Sequence, residues 1–257
     1  MMNMKLKTIH EKRIIEEFLK DKNPNDYHYY YNNLESPFWE NTQWFGLFNK
    51  EKLEALAMYI IKYGFPVLLC TSYSNDEYAE ELAKQLKAFL PKDLYAHLNR
   101  RDNNFQGQVC KYYNMELKEH IDYKGYNAKE VVRLTKDDYD IIVNLLEKSH
   151  PEYLLEREFV EENYFFGIKD GHKLICVGGI SAKNEEVAVA AIGCVTTHPD
   201  YRKKGLGTKV MVEIIKNLLG EYENICLNVK EENLPAIGCY EKLGFKKIGF
   251  FNEVITG

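Results

Sequence analysis

A chain of 257 residues, 45% of them apolar, is long for one domain and suits two of ordinary size, each with a sizeable core. A net charge of −5 argues against nucleic acid as the main partner, which calls for a basic face or stripe, yet leaves room for a local basic loop that holds a small anion. The longest apolar stretches, 55–61 and 187–195, are far too short to span a bilayer, so no membrane association is expected. No apolar run follows the first residues, so no leader peptide is expected and the expected location is cytoplasmic. Cys70, Cys110, Cys176, Cys194, Cys226 and Cys239 are scattered without a Cys-x-x-Cys pair, which predicts reduced, buried thiols. The seven histidines show no spacing suited to a metal, and none is predicted.

In chain order, the first half begins with an aromatic run, Tyr27-His-Tyr-Tyr-Tyr31 with Phe38 and Trp39. Packing at a helix end is its plainer use, and lining an acceptor site the other. Then comes Trp44-Phe-Gly-Leu-Phe-Asn-Lys-Glu-Lys-Leu53, followed by a strand, an apolar run at 67–70, an amphipathic helix over 77–90 and a further strand. A join falls near 123–129, around Gly125 and Asn127, which predicts domains over 1–126 and 127–257.

Beyond the join, 131–134 reads as a short strand, and Thr135-Lys-Asp-Asp opens a helix behind an N-cap. Tyr139, Ile142, Leu145 and Leu146 recur there at helical spacing. Strands at 164–168 and 174–180 meet across Asp170-Gly171, a hairpin signal. A β-rich run at 187–195 leads into a loop, and 206–219 forms a helix with Leu206, Val210, Ile214 and Leu218 four apart. A strand at 225–229, a short helix at 235–243 and strand material at 245–255 close the chain. Phe165-Phe-Gly-Ile-Lys-Asp-Gly-His-Lys-Leu174 echoes 44–53, and the elements that follow each stretch come in the same order, which implies an internal duplication.

The chemistry concentrates in Val195-Thr-Thr-His-Pro-Asp-Tyr-Arg-Lys-Lys-Gly-Leu-Gly-Thr208, between a strand and a helix. Gly205 and Gly207 remove side chains where phosphates would approach the backbone. Free N–H groups and the helix N-terminus make an anion site, and Arg202, Lys203 and Lys204 add full positive charge. A diphosphate is the natural guest. The spelling excludes the nucleoside-triphosphate loop, which needs four residues between its glycines, and the dinucleotide fingerprint, whose third glycine is replaced by Val210.

With the later stretch Asn233-Leu-Pro-Ala-Ile-Gly-Cys-Tyr-Glu-Lys-Leu-Gly-Phe245, the second half resembles the GNAT superfamily of acyl-CoA-dependent N-acetyltransferases. Val195, Pro199, Tyr201, Arg202, Gly205 and Gly207 match its loop pattern, and Asn233, Ala236, Tyr240, Gly244 and Phe245 its later one. The resemblance implies an α/β fold of two tandem GNAT-like domains, each a mixed, mostly antiparallel sheet flanked by helices, with a degenerate first copy. It implies acetyl-CoA as co-substrate and direct attack of a small-molecule or amino-acid amine on the thioester. Lys203, Lys204, Gly205, Leu206, Gly207 and Thr208 would bind the pyrophosphate through their amides. The strand end from Val195 to Thr197 would pair with the pantetheine arm, with the Val195 N–H on the thioester carbonyl and Asn233 on the pantetheine. Tyr240 would protonate the departing thiolate.

No general base is assigned. The run 187–195 holds no acid, and Glu185, Glu186 and His198 read better as solvated loop residues. Cys194 and Cys239 lack a histidine at motif spacing, which disfavours a cysteine relay. The first half places Ser74-Asn-Asp-Glu-Tyr-Ala-Glu-Glu opposite the basic loop, so no CoA is expected there. Transfer of a longer acyl chain, or a CoA-binding module without turnover, are the alternatives, and a homodimer is left open.

Overall fold

The computed structural model describes residues 4–61, 66–72, 76–99, 102, 104–119, 121–149, 155, 157–162 and 164–256. Two compact units divide the chain. The first takes 1–114, 229–232 and 248–257, and the second 115–228 and 233–247. Strands β6 (Gln108–Leu117) and β12 (Phe245–Ile255) therefore contribute residues to both.

In the first unit β1 (Met4–Ile9), β2 (Thr42–Asn49), β3 (Lys52–Ile60) and β4 (Val67–Ser72) pair antiparallel in turn. Strand β4 then pairs parallel with β5 (Tyr95–Leu98), which takes Asn252–Ile255 of β12 antiparallel. The second unit repeats the series. Strands β7 (Val131–Arg133), β8 (Phe166–Asp170), β9 (Lys173–Asn184) and β10 (Val189–Thr197) pair antiparallel, and β10 pairs parallel with β11 (Asn224–Lys230).

The duplication extends to single residues. Hairpins β2–β3 and β8–β9 close on Asn49↔Lys52 and Asp170↔Lys173, each with positive φ at the first loop residue, Lys50 (56°) and Gly171 (60°). A Cβ on Gly46 would lie 2.5 Å from Leu53 Cδ1, and one on Gly167 2.7 Å from Leu174 Cδ1. The same leucine thus fills the space over the same glycine in both copies.

Helices pack on these sheets with apolar stripes. In the first unit α3 (Asp76–Leu86) buries Leu82, Ala83 and Leu86 in a cluster with Ala57, Leu68 and Ala96. The helix stops short of the expected 90: the Ala88 and Phe89 amides tighten to i−3 carbonyls ahead of Pro91, whose ring disfavours a helical residue before it. Helix α2 (His28–Asn32) carries most of the tyrosine run as packing beside α1 (Lys12–Leu19): Tyr30 and Tyr31 are buried, Tyr31 Oη donates to the Leu19 carbonyl at 2.9 Å, and Trp39 stacks on Trp44.

In the second unit Thr135 caps a 3₁₀ turn that leads into α4 (Tyr139–Ser149), in a reciprocal capping box with Asp138. Ile142, Leu145 and Leu146 of α4 pack with Phe165, Leu174 and Val177. Helix α6 (Leu206–Leu218) buries Val210, Met211, Ile214, Ile215 and Leu218, each such burial contributing about 1.5–3 kcal/mol. Short helices α5 (Arg157–Glu162) and α7 (Leu234–Lys242) complete the unit.

All six cysteines carry free thiols; Cys70, Cys176 and Cys226 are buried, and Cys110, Cys194 and Cys239 half-buried. Among the described residues no helix is long and apolar enough to cross a membrane, and no three His, Cys, Asp or Glu gather as metal ligands.

Candidate active site

The site begins where β10 leaves β11. Their parallel pairing runs from Val189↔Asn224 to Ile192↔Leu227 and stops, while β10 continues to Thr197 along β9 alone. Between Gly193↔Gly179 and Thr196↔Val177 the register slips, Cys194 and Val195 have no partner in the β9 ladder, and Cys194 sits at φ 55°. A bulge re-aims the strand at this point. The backbone from Gly193 to Thr197 thus offers a free edge toward the gap, where an extended ligand can add as a strand. The bulge also turns the Cys194 side chain onto the α4 cluster and Val195 onto the α6 side, beside Gly178, Val210 and Ile214.

The strand end runs into the loop. The His198 amide donates to the Ile175 carbonyl at 2.9 Å, and Pro199–Tyr201 forms a 3₁₀ turn. Arg202 Nε donates back to the Thr197 carbonyl at 3.2 Å, tying the loop to the strand. Tyr201 is braced by its hydroxyl on Asp170 Oδ2 (2.7 Å), with Lys204 Nζ 4.9 Å above its ring. Lys203 (φ 61°) and Gly205 (φ 74°) both take the left-handed conformation and turn the chain into α6.

No side chain caps α6, unlike the turn before α4 and unlike α7. Its first amides stay open, and a Cβ on Gly205 would meet nothing within 4 Å. A Cβ on Gly207 would meet only Thr197 Oγ1, at 3.6 Å. An uncapped helix start with unfilled space and exposed Arg202, Lys203 and Lys204 fits a diphosphate. Lys209, one turn on, is already paired with Glu130.

Helix α7 brings Tyr240 to the same end. The residue is 8% exposed, its ring meets Phe245 edge-on, and burial, with smaller contributions from Cys239 and Cys176, raises its pKa. Cys176 in turn contacts Thr197 Oγ1 at 3.2 Å, and Cys239 contacts Thr208 Oγ1 at 3.2 Å, so the phenol stands among side chains of the strand end and the loop helix. Asn233 Oδ1 caps α7 by accepting from the Ala236 amide at 3.3 Å, which leaves its Nδ2 as the atom it can offer a ligand. Burial pushes the Cys194 thiol up to about 12 and Cys176 to about 11, so neither is a thiolate near neutral pH.

The weaker base candidates fall away from the gap. Glu185 and Glu186 sit in the β9–β10 turn, about nine residues or ~30 Å of strand from Val195. His198 Nδ1 accepts from the Asp200 amide at 3.3 Å and serves as the cap of the 3₁₀ turn.

In the first unit the matching strand end is already occupied. Lys22 Nζ donates to the Ser72 carbonyl at 3.1 Å, and Thr71 Oγ1 donates to Tyr27 Oη at 3.3 Å. Ser74 and Asn75 lie outside the described residues, and α3 opens with Asp76 and Glu77. Sequence reasoning missed this plug. Lys22 is separated from Ser72 by 50 positions, and no local pattern links them.

Residues 128–245 match the acetyltransferase (GNAT) family model. N-alpha-acetyltransferase 50 of Danio rerio is 28% identical over 130 residues, 49% of this chain and 73% of its own length. An N-alpha-acetyltransferase of Saccharolobus solfataricus is 43% identical over 51 residues, 19% of this chain and 30% of its own length. Among solved structures, a Drosophila protein aligns over 98% of both chains with TM-score 0.73 at 14% identity. A tandem GNAT protein from the clavulanic acid biosynthesis pathway aligns over 99% of this chain and 98% of its own with TM-score 0.59 at 12% identity. Residues 128–245 therefore carry the pattern of the acetyltransferase (GNAT) family, and the whole chain has the fold of the tandem GNAT structure.

Proposed function

We propose that the second unit transfers an acetyl group from acetyl-CoA to a primary amine of a small molecule or amino acid, by direct attack of the neutral amine on the thioester. The observation that carries this reading is the free edge of β10 running from the bulge at Cys194 into the uncapped, glycine-bearing start of α6. The loop amides from Lys203 to Thr208 hold the diphosphate, with Arg202, Lys203 and Lys204 as counter-charge. The strand edge from Val195 to Thr197 orients the pantetheine, Asn233 contacts it, and the Val195 N–H faces the oxygen on which charge develops. One such amide is worth about 3 kcal/mol. Tyr240 gives its proton to the leaving sulfur, and the proton that the attacking nitrogen sheds as the amide forms passes to solvent, from which the phenol is reprotonated.

The lack of an acid on β10 favours an amine that needs little help to lose its proton. An α-amine titrates near 7.7–8.0 and a lysine side chain near 10.4, so the α-amine is the better acceptor here. The two similar N-alpha-acetyltransferases support the same choice. A panel of amino acids, small amines and lysine-like amines, read by thiol release from acetyl-CoA, tests it. Turnover is expected with α-amines first; acetyl-CoA binding without thiol release across the panel would replace the enzyme with a CoA-binding module.

A further inference from the structure

A cavity of about 360 Å³ opens between α4, the β8–β9 hairpin and His198. Ile141, Leu145 and Leu174 form its apolar floor. Around the rim stand Lys148, Lys173, His172 and His198. The one carboxylate in the lining, Asp140, is already engaged by Arg157 Nη2 at 2.7 Å. His198 accepts the Asp200 amide on Nδ1, which leaves Nε2–H to donate. In a chain of net charge −5, the Lys148 and Lys173 ammonium groups and the His198 N–H thus stand with His172 around an apolar floor.

We propose that this cavity binds a small organic anion, a carboxylate or phosphate on an apolar body, and that its occupancy is coupled to the grip of the diphosphate loop. The coupling follows from shared residues. His198 caps the turn that starts the loop, and Lys173 lies 5.5 Å over the ring of Tyr201, which braces it. An anion that draws Lys173 and His198 inward acts on both supports, and by thermodynamic reciprocity CoA changes the anion's affinity by the same factor. The anion site stands without the acetyl-transfer reading; the coupling rests on it.

Phenyl phosphate, with inorganic phosphate as the control that lacks an apolar body, provides the probe for calorimetry on the full chain. Phenyl phosphate is expected to bind both alone and under saturating CoA, with different affinities, and more tightly than inorganic phosphate. Asn144→Trp fills the cavity from an exposed rim position, and Lys148→Glu reverses a rim charge. Each should weaken phenyl phosphate by about tenfold or more while CoA binding in the absence of the probe stays unchanged. Complete displacement by CoA, wild-type affinity in both variants, or no binding of phenyl phosphate overturns the site. Equal phenyl phosphate affinity with and without CoA removes the coupling. If CoA itself fails to bind, the acetyl-transfer reading falls, and the two variants still decide the cavity.

Discussion

At the residue scale, Tyr240 and Gly205 take opposite parts in the proposed function. Burial keeps the Tyr240 phenol protonated, so in the proposed reaction its part is that of a donor to the departing thiolate. Tyr240→Phe should leave the acetyl-CoA dissociation constant unchanged and lower turnover by about 10²–10⁴, the usual share of a positioned proton donor. Calorimetry and thiol-release rates on one preparation separate the two effects, and unchanged turnover would take Tyr240 out of the mechanism. Gly205 holds φ 74° with open space before it. Gly205→Ala imposes about 1–2 kcal/mol of backbone strain and sets a methyl where the phosphates approach, so acetyl-CoA affinity should fall by about tenfold or more in calorimetry. Both residues were legible in the sequence, because the glycine loop and the tyrosine motif are local spellings. The strain at Cys194 was not: a φ of 55° there follows from the register against β9, 15 or more positions away.

At the element scale, strand–loop–helix order was legible through period and turn chemistry, and the ends moved for local reasons. Strand β10 starts at Val189, two residues after the apolar run begins, because Glu185–Ala188 closes a turn with Ala188 at φ 47°. Helix α6 stops at Leu218 ahead of Gly220 at φ 101°. The buried stripe on α6 makes Ile214→Ala a sensitive change, expected to destabilise by about 2–5 kcal/mol in thermal or urea unfolding. Strand pairing also sets a pH dependence. Glu253 of β12 faces His97 of β5 at 3.4 Å in direct cross-strand register. Burial alone would raise the Glu253 carboxyl, but the hydrogen bonds and charge of His97, helped by Tyr95 and Tyr112, hold it below its ordinary 4.5. A carboxyl lowered on folding stabilises above its unfolded value and loses that contribution as pH falls through the folded one. Urea midpoints measured from about pH 6 down to 3 should therefore drop more steeply in the wild type than in Glu253→Gln. Parallel slopes would mean that the pair contributes nothing.

At the scale of the whole molecule, the halves visible in the sequence and the units that pack are not cut at one place. The echo between 44–53 and 165–174 could be found because hairpins carry their glycine, turn and leucine within ten residues. Which unit claims a given strand end is a long-range matter that no window reports. Residues 115–126 count with the second unit, although the turn residues Gly125 and Asn127 place the join near 123–129. Tyr123, buried there, donates its hydroxyl to the Leu243 carbonyl at 2.8 Å, and the amides of Lys118 and Glu119 donate to the Gly244 carbonyl at 3.0 and 3.1 Å. Those bonds fix the turn between α7, which carries Tyr240, and β12. A fragment of 127–257 leaves these carbonyls without their partners, at about 1–3 kcal/mol for each buried group, and also loses Met115 and Leu117 from the core. A fragment of 115–257 keeps all of them. The longer fragment should unfold at higher urea concentration and retain more acetyl-CoA binding, with the largest loss of amide-exchange protection in the shorter one falling over 240–247. Equal midpoints for the two fragments would show that 115–126 is a passive linker, and that the placement of Tyr240 is secured without it.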